Sequence, residues 1–403
     1  MGSPEKLGGN NMTSKANVIG VSMVKFEKPG KNEPYEIMAS KAITNALKDA
    51  GISLSDVNQA YASYVYGDST SGQTALYRVG MTGIPIINVN NNCSSGSTAL
   101  YLARQAVESG AEECVLAFGF EEMKPGALSE NWTDRMSPFQ WIYDQFETLN
   151  PELPDGPVAL KVFGAAAIEY LEKYGASPDI FGKVAVKSRK HAVNNPYSLF
   201  NKEITLDEVM QSPEVYPGLN RLMACPPTCG AAAVVVCSDD FAKKHNIQNA
   251  VKITAQSMTT DKPDSKENNM QLVGLKMTEE AAKEVYEKSG VGPEDVDVVE
   301  LHDCFTPNEV ITYEGLGLVG EGEAEKLIYD EDNTYGGKFV VNPSGGLMSK
   351  GHPLGATGLA QCTELVWHLR GEAGKRQVEG AKVGLQHNVG LGGACIVTMY
   401  QTV

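Results

Sequence analysis

The sequence predicts an α/β protein of two pseudo-symmetric halves, the first interrupted by a long insertion, because three stretches recur at one long offset. ALKDAGISLSDVNQAYAS from Ala46 returns as VYEKSGVGPEDVDVVELH from Val285, and CSSGSTALYLARQ from Cys93 returns as HPLGATGLAQCTE from His352. The strand-like pair ECVLAFGFEE and GAAAVVVCS, from Glu113 and Gly230, returns as AKVGLQHNVG and GGACIVTMY, from Ala381 and Gly392.

Taken in order, residues 1–16 (MGSPEKLGGNNMTSKA) are rich in Gly, Ser and Asn and lack the apolar stretch of a signal peptide, so they read as a flexible leader or tag. In the first repeat a helix ends at Gly51, and in its copy at Gly290. Each glycine supplies the left-handed conformation that stops a helix, and the apolar alternation that follows reads as a strand. GIPIINV reads as another strand, followed by three asparagines and a helix on small residues from Cys93. The copy of that helix starts at His352, with Pro353 suited to its first turn and Gly355 and Thr357 aligned on Gly96 and Thr98. A few residues join the closing strands in the second half, whereas residues 121–225 intervene in the first. That segment carries Pro-rich joints (SPFQW, NPELPDGP, CPPTC) and helical stretches, and it reads as an inserted lid or binding subdomain. The expected division is 17–120 with 226–255 for the first half, 121–225 for the insertion and 256–403 for the second half.

Composition narrows the function. A net charge of −16 with no long basic block repels a phosphate backbone and argues against nucleic acid. The longest apolar run, Ala231 to Cys237, is far short of a membrane span. Eight cysteines, scattered and mostly in apolar stretches, predict reduced thiols in an intracellular, soluble protein rather than a disulfide framework. Cys225 and Cys229 form C-x3-C without a second pair, so no metal site is expected.

Candidate chemistry gathers at a few positions. The dipole and free N–H groups of a helix start predict a lowered thiol pKa at Cys93. The repeat sets His352 opposite it, and Cys–His pairing is a common way to activate a nucleophile. The stretch VVELHDCFTPNE puts His302, Asp303 and Cys304 at a strand end, where α/β sites collect. His302 suits donation to an enolate or oxyanion and Cys304 suits proton transfer, each against an equally good structural role. Asp303 reads as a cap of the following turn. His387, Asn388 and the run from Gly390 form a turn after a strand, in which Gly390 offers either an oxyanion-hole N–H or simply hairpin geometry. His191, His245 and His368 have no convergent partner.

NNNCSSGSTAL, HAVNNPYS, LHDCF, NTYGGKFVVNPSGGLMSKGHPLGATGLAQ and LRGEAGKRQV together resemble the thiolase domain of the sterol carrier protein 2 thiolases, from about Val18 to Tyr400. The match is weakest from Leu128 to Asp155. The resemblance implies a thiolase fold, two halves forming a five-layered α/β/α/β/α core with an inserted loop domain, usually dimeric. It implies thiolysis of 3-oxoacyl-CoA by CoA, or the reverse Claisen condensation, in lipid metabolism such as fatty acid β-oxidation. Cys93 then takes the acyl group, His352 activates it, His302 holds the thioester oxygen, and Cys304 is the second acid/base. Other thiolases carry that second cysteine where this chain has Asn388, and the N–H groups of Cys93 and Gly390 form the oxyanion hole.

CoA enters as a substrate, with no tightly bound cofactor, and Lys183, Lys187, Arg189 and Lys190 are the candidates for its phosphates, against a merely solvated helix face. Cys229 stands where the family has an acidic residue that braces a turn. A peroxisomal location follows from the resemblance, although the final residues YQTV are not the S-K-L type of address, and a cytoplasmic or mitochondrial one stays open. No lipid-carrier region follows Tyr400, so sterol transfer is not expected. Two other readings compete: a thiolase-like retro-aldolase acting on a sterol side-chain thioester with a partner protein, and a silent acyl-CoA-binding subunit.

Overall fold

A computed structural model describes residues 15–126 and 129–402. Most of the expected leader lies outside the described residues, and Ala16, its last residue, already opens the first strand. The strands are β1 (Ala16–Met23), β2 (Gln59–Ser63), β3 (Ile86–Val89), β4 (Cys114–Glu121), β5 (Gly230–Ser238), β6 (Val251–Thr259), β7 (Val298–Glu300), β8 (Val340–Val341), β9 (Val383–Gly390) and β10 (Ala394–Thr402). The principal helices are α1 (Tyr35–Ala50), α2 (Ser95–Glu108), α3 (Gln140–Leu149), α4 (Val158–Tyr174), α5 (Asp179–Ala192), α6 (Leu275–Ser289), α7 (Thr306–Gly315) and α8 (Leu354–Arg370).

The ten strands form one continuous mixed sheet in the order β8-β7-β9-β10-β6-β1-β5-β4-β2-β3. Counted outward from the centre, each half repeats the same strand order, and the halves join edge to edge where Asn17 and Val18 pair with Lys252 and Val251. The sheet position of β6 is that of β1 in the other half. The second half therefore begins at Val251, and the boundary expected after residue 255 would cut through a strand. Both predicted helix stops hold, with Gly51 at φ 68° and Gly290 at φ 70°.

The central strands β1, β4 and β5 are buried on both faces, which accounts for their continuous apolar runs, whereas the edge strand β3 is not. Along β5, Ala231, Ala233 and Val235 face a core with Ile43 and Leu47 of α1, while Ala232, Val234 and Val236 face a second core with Leu100 of α2 and Leu359 of α8. Each fully buried valine or leucine contributes about 1.5–3 kcal/mol. Helices α2 and α8 pack on each other between the two halves, with α1 and α6 on the outer faces, so the layers run α/β/α/β/α.

Glycine permits the close crossing of the central helices. A Cβ on Gly96 would lie 2.9 Å from the Gly355 carbonyl, and one on Gly119 of β4 would lie 2.1 Å from the same oxygen. The insertion supplies α3, α4, α5 and a small hairpin. It is anchored on the second half: Phe163 stacks on Phe305 at 4.8 Å, and Tyr170 donates to Glu314 at 2.6 Å.

Candidate active site

The crossing of α2 and α8 brings two equivalent positions together. Cys93 stands one residue before the N-cap of α2, and His352 one residue before the N-cap of α8. Asn92, at φ 51°, turns the chain sharply after β3, a left-handed conformation that asparagine tolerates better than most side chains. The strand end after β7 adds His302. The Cys93 sulfur and one ring nitrogen from each of His302 and His352 all lie within 4.8 Å of one another, and all three residues are buried. The two imidazoles meet edge to face with centroids 5.0 Å apart.

Hydrogen bonding gives the two histidines opposite roles. Thr357 Oγ1 donates to the Pro353 carbonyl at 3.0 Å, so its contact with His352 Nδ1 at 2.6 Å requires the ring to donate. His352 Nε2 is then a buried lone pair without a partner, the requirement for a base. His302 Nδ1 instead accepts from Asn388 Nδ2 at 2.9 Å, which leaves the proton on Nε2 as a donor.

Burial corrects the expectation of a lowered thiol pKa. Desolvation pushes Cys93 up to about 12, outweighing the N–H groups of Cys93 and Leu391 that favour the thiolate. His352 is lowered to about 3 by burial and by the Lys350 charge. At rest the pair is a neutral thiol beside a neutral imidazole, with the thiol turned to Asn92 Oδ1 at 3.7 Å.

Other predicted residues take places that sequence reasoning missed. Asn388 and His387 lie within β9 rather than in the turn after it, and Asn388 Nδ2 also donates to the Cys93 carbonyl at 3.2 Å. Gly390 abuts the nucleophile loop, where a Cβ would lie 2.3 Å from the Asn91 carbonyl. The N–H that joins that of Cys93 at the sulfur belongs to the next residue, Leu391. Asp303 caps no turn of its own. It accepts the N–H groups of Leu347 at 2.7 Å and Met348 at 3.4 Å, bracing the chain that leads to His352.

Cys304 is buried, and burial holds its thiol well above the usual range. The end of the insertion forms antiparallel and parallel bridges, Ala224–Phe305 and Pro227–His352, that put Cys225 opposite Cys304, with Cys225 N–H donating to the Cys304 carbonyl at 2.9 Å. The C-x3-C spacing gave no sign of that proximity, because only tertiary pairing creates it. Cys229 receives the Met123 N–H at 3.2 Å, so it braces the turn in place of the expected acid.

A cavity of about 1080 Å³ opens beside Tyr66, Asn92 and Leu391, walled by Trp132, Phe139 and Tyr143 of the insertion. Its lining contains one cation among the described residues, Arg135. Of the basic residues of α5 expected to meet CoA phosphates, one is committed elsewhere and two lie over aromatic rings. Lys187 is buried in an ion pair with Glu309 and donates to the Val341 carbonyl at 3.1 Å. Arg189 covers the Phe200 ring at 4.0 Å and Lys183 the Tyr329 ring at 4.9 Å, which leaves Lys190 exposed. Among the described residues no helix is long and apolar enough to cross a membrane.

Comparison with known proteins agrees with this architecture. Residues 17–240 match the family model for the thiolase N-terminal domain, and residues 259–400 match the model described as thiolase C-terminal domain-like. Sterol carrier protein 2 of Bos taurus is 55% identical over 397 residues, covering 97% of this chain and 73% of that one. Two solved structures share the fold. An Ltp2-ChsH2(DUF35) aldolase has a TM-score of 0.82 at 23% identity over 97% of this chain and 98% of that one. Human mitochondrial 3-ketoacyl-CoA thiolase has a TM-score of 0.71 at 19% identity over 97% and 99%.

Proposed function

The chain belongs to the thiolase family, and from that premise we propose that it cleaves 3-oxoacyl-CoA with CoA, or runs the reverse Claisen condensation, through an acyl group on Cys93. The observation that carries the reading is the convergence within 4.8 Å of a thiol and one ring nitrogen from each of two imidazoles, of which one ring keeps a bare nitrogen and the other an N–H.

The arrangement supports the following sequence. As the Cys93 sulfur attacks the 3-keto carbon, His352 Nε2 takes its proton, so the thiolate need not exist in the resting site. The N–H groups of Cys93 and of the Gly390–Leu391 turn receive the developing alkoxide, each such donor lowering the barrier by about 3 kcal/mol. When the C2–C3 bond breaks, the electron pair moves onto the departing thioester as an enolate, whose oxygen accepts from His302 Nε2–H. Cys304, kept protonated by burial, gives its proton to C2 and releases acetyl-CoA or propionyl-CoA. CoA then attacks the Cys93 thioester while its thiol proton passes to the Cys304 thiolate. As the shortened acyl-CoA forms, the Cys93 sulfur leaves and takes its proton back from His352. Asn388 acts here by holding His302 and the Cys93 carbonyl rather than by moving a proton.

Arg135, which lines the cavity and there pairs with Asp134 at 2.8 Å and covers the Trp132 ring at 4.8 Å, joins exposed Lys190 as a candidate cation for CoA phosphates. β3, an edge strand with Ile87 exposed and with exposed Tyr77 and Met81 in the segment before it, offers an unpaired surface for a second copy and supports a homodimer. Kinship with sterol carrier protein 2 is consistent with a peroxisomal setting. The retro-aldolase and silent-subunit readings leave unexplained why a nucleophile faces an unpartnered base.

Intact-mass analysis after incubation with acetoacetyl-CoA tests the proposal. The expected result is one acetyl adduct that CoA removes and Cys93→Ala lacks. Wild-type protein without an adduct, or an equal adduct in Cys93→Ala, would overturn it.

A further inference from the structure

Behind His302 runs a buried chain of hydrogen bonds whose direction can be read bond by bond. Tyr400 Oη donates to Gln386 Oε1 at 2.5 Å, Gln386 Nε2 donates to Ser97 Oγ at 3.0 Å, Ser97 Oγ donates to Asn388 Oδ1 at 2.7 Å, and Asn388 Nδ2 donates to His302 Nδ1 at 2.9 Å. Tyr400, Gln386, Ser97 and Asn388 are all fully buried. The chain crosses the molecule from β10 through β9 to α2, and so ties both halves to one imidazole.

Its polarity is set at two backbone carbonyls, which can only accept. Gln386 Nε2 faces the Gly358 carbonyl at 2.7 Å, which fixes that amide with its oxygen toward Tyr400. Asn388 Nδ2 faces the Cys93 carbonyl at 3.2 Å, which fixes the second amide with its oxygen toward Ser97. The Ser97 hydroxyl accepts on one side and has a single direction left in which to donate. Gly358 makes room for it: a Cβ there would lie 2.2 Å from Ser97 Oγ and 2.7 Å from Asn388 Oδ1.

We propose that Ser97, Gln386 and Tyr400 are positioning residues that act through Asn388 to hold His302 in the tautomer with its proton on Nε2, so that the ring serves as a hydrogen-bond donor and not as a base. The inference rests on the proposed reaction for its purpose, namely to separate the donor histidine from the base His352. The tautomer itself is a property of the resting protein. Reversing it would cost the chain one of its bonds, because a protonated Nδ1 would meet the Asn388 amide hydrogens.

The test is long-range proton–nitrogen NMR on the full chain labelled with nitrogen-15 in its six histidines, with His302 assigned by its loss in His302→Asn. Wild type is expected to show a bare Nδ1 and a protonated Nε2. Asn388→Asp offers only acceptors to the ring and is expected to reverse the pattern. Ser97→Ala is expected to populate both tautomers and to lower kcat for carbon–carbon cleavage about 10- to 100-fold with little change in KM. Tyr400→Phe, a near-isosteric change at the far end, keeps the question open to measurement should Ser97→Ala misfold, and is expected to give a smaller shift in the same direction. A protonated Nδ1 in wild type, the wild-type pattern persisting in Asn388→Asp, or that pattern persisting in whichever of Ser97→Ala and Tyr400→Phe folds, would overturn the proposal. Failure of Cys93 to acylate while His302 keeps its Nε2 proton would instead sink the proposed reaction and leave the relay standing.

Discussion

Gly96→Ala separates the catalytic contribution of the helix crossing from its contribution to stability. The added methyl would sit 2.9 Å from the Gly355 carbonyl oxygen, 3.0 Å from Gly358 N and 3.1 Å from Leu359 N, all backbone atoms of α8 that cannot rotate away. Ordinary contact requires α8 to retreat by roughly 0.5 Å. Overpacking of this kind costs about 1–3 kcal/mol, and at the second residue of α2 alanine recovers only part of the about 1 kcal/mol it gains over glycine in a helix interior. The net destabilisation is therefore about 0.5–3 kcal/mol. Cys93 and His352 each lie three residues before the contact, so the gap between sulfur and base widens by a similar amount. A misplacement of about 1 Å costs on the order of 100-fold in rate, and half of that about tenfold. Urea denaturation and the rate of Cys93 acylation, measured on one preparation, check both expectations. An acylation rate within about twofold of wild type, at the stability expected, would refute the claim that the crossing sets the catalytic gap.

Cys304→Ala is expected to acylate normally from a simple acyl-CoA but to fail in carbon–carbon bond chemistry, and preservation of both would remove Cys304 from the mechanism. Lys187→Met leaves Glu309 buried without its cation and is expected to cost about 3–5 kcal/mol in denaturation, whereas Arg135→Ala is expected to raise KM for CoA esters with kcat unchanged; the opposite pattern would restore α5 as the phosphate site. Burial holds His191, His352 and His387 near 3, so between pH 6.5 and 5 the unfolded chain binds three protons that the folded chain refuses, and stability falls on acidification. Burial also raises Glu121 to about 7 and Asp303 to about 8, which works in the opposite direction because the folded chain keeps those two protons. His302 adds to the histidine side and Glu300, Glu314 and Asp261, also raised by burial, to the carboxyl side, so the net loss is the small difference of two opposed contributions, on the order of 1 kcal/mol per pH unit. A urea midpoint that rises as the pH drops through this window would contradict the balance.

Much of this molecule is legible in the chain itself, and for a physical reason. Helix stops at Gly51 and Gly290 and buried-strand runs such as Gly230–Ser238 are local events governed by neighbouring residues, so they can be read one segment at a time. A duplicated pattern adds long-range information, because equivalent segments must fold alike. That is why Cys93 and His352 were recognisable as partners 259 positions apart. Protonation, orientation and commitment of side chains obey no such rule. The helix start favours a thiolate at Cys93, and burial in the folded molecule reverses that preference. Lys187 reads as a surface cation until α7 brings Glu309 against it. Cys225 becomes a neighbour of Cys304 only through the bridge that closes the insertion. The sequence by itself determined the two halves, their elements and the residues capable of chemistry. The tertiary structure alone decided which nitrogen is a base, which is a donor and which cations are paired, because desolvation and hydrogen-bond polarity depend on what surrounds a group in space.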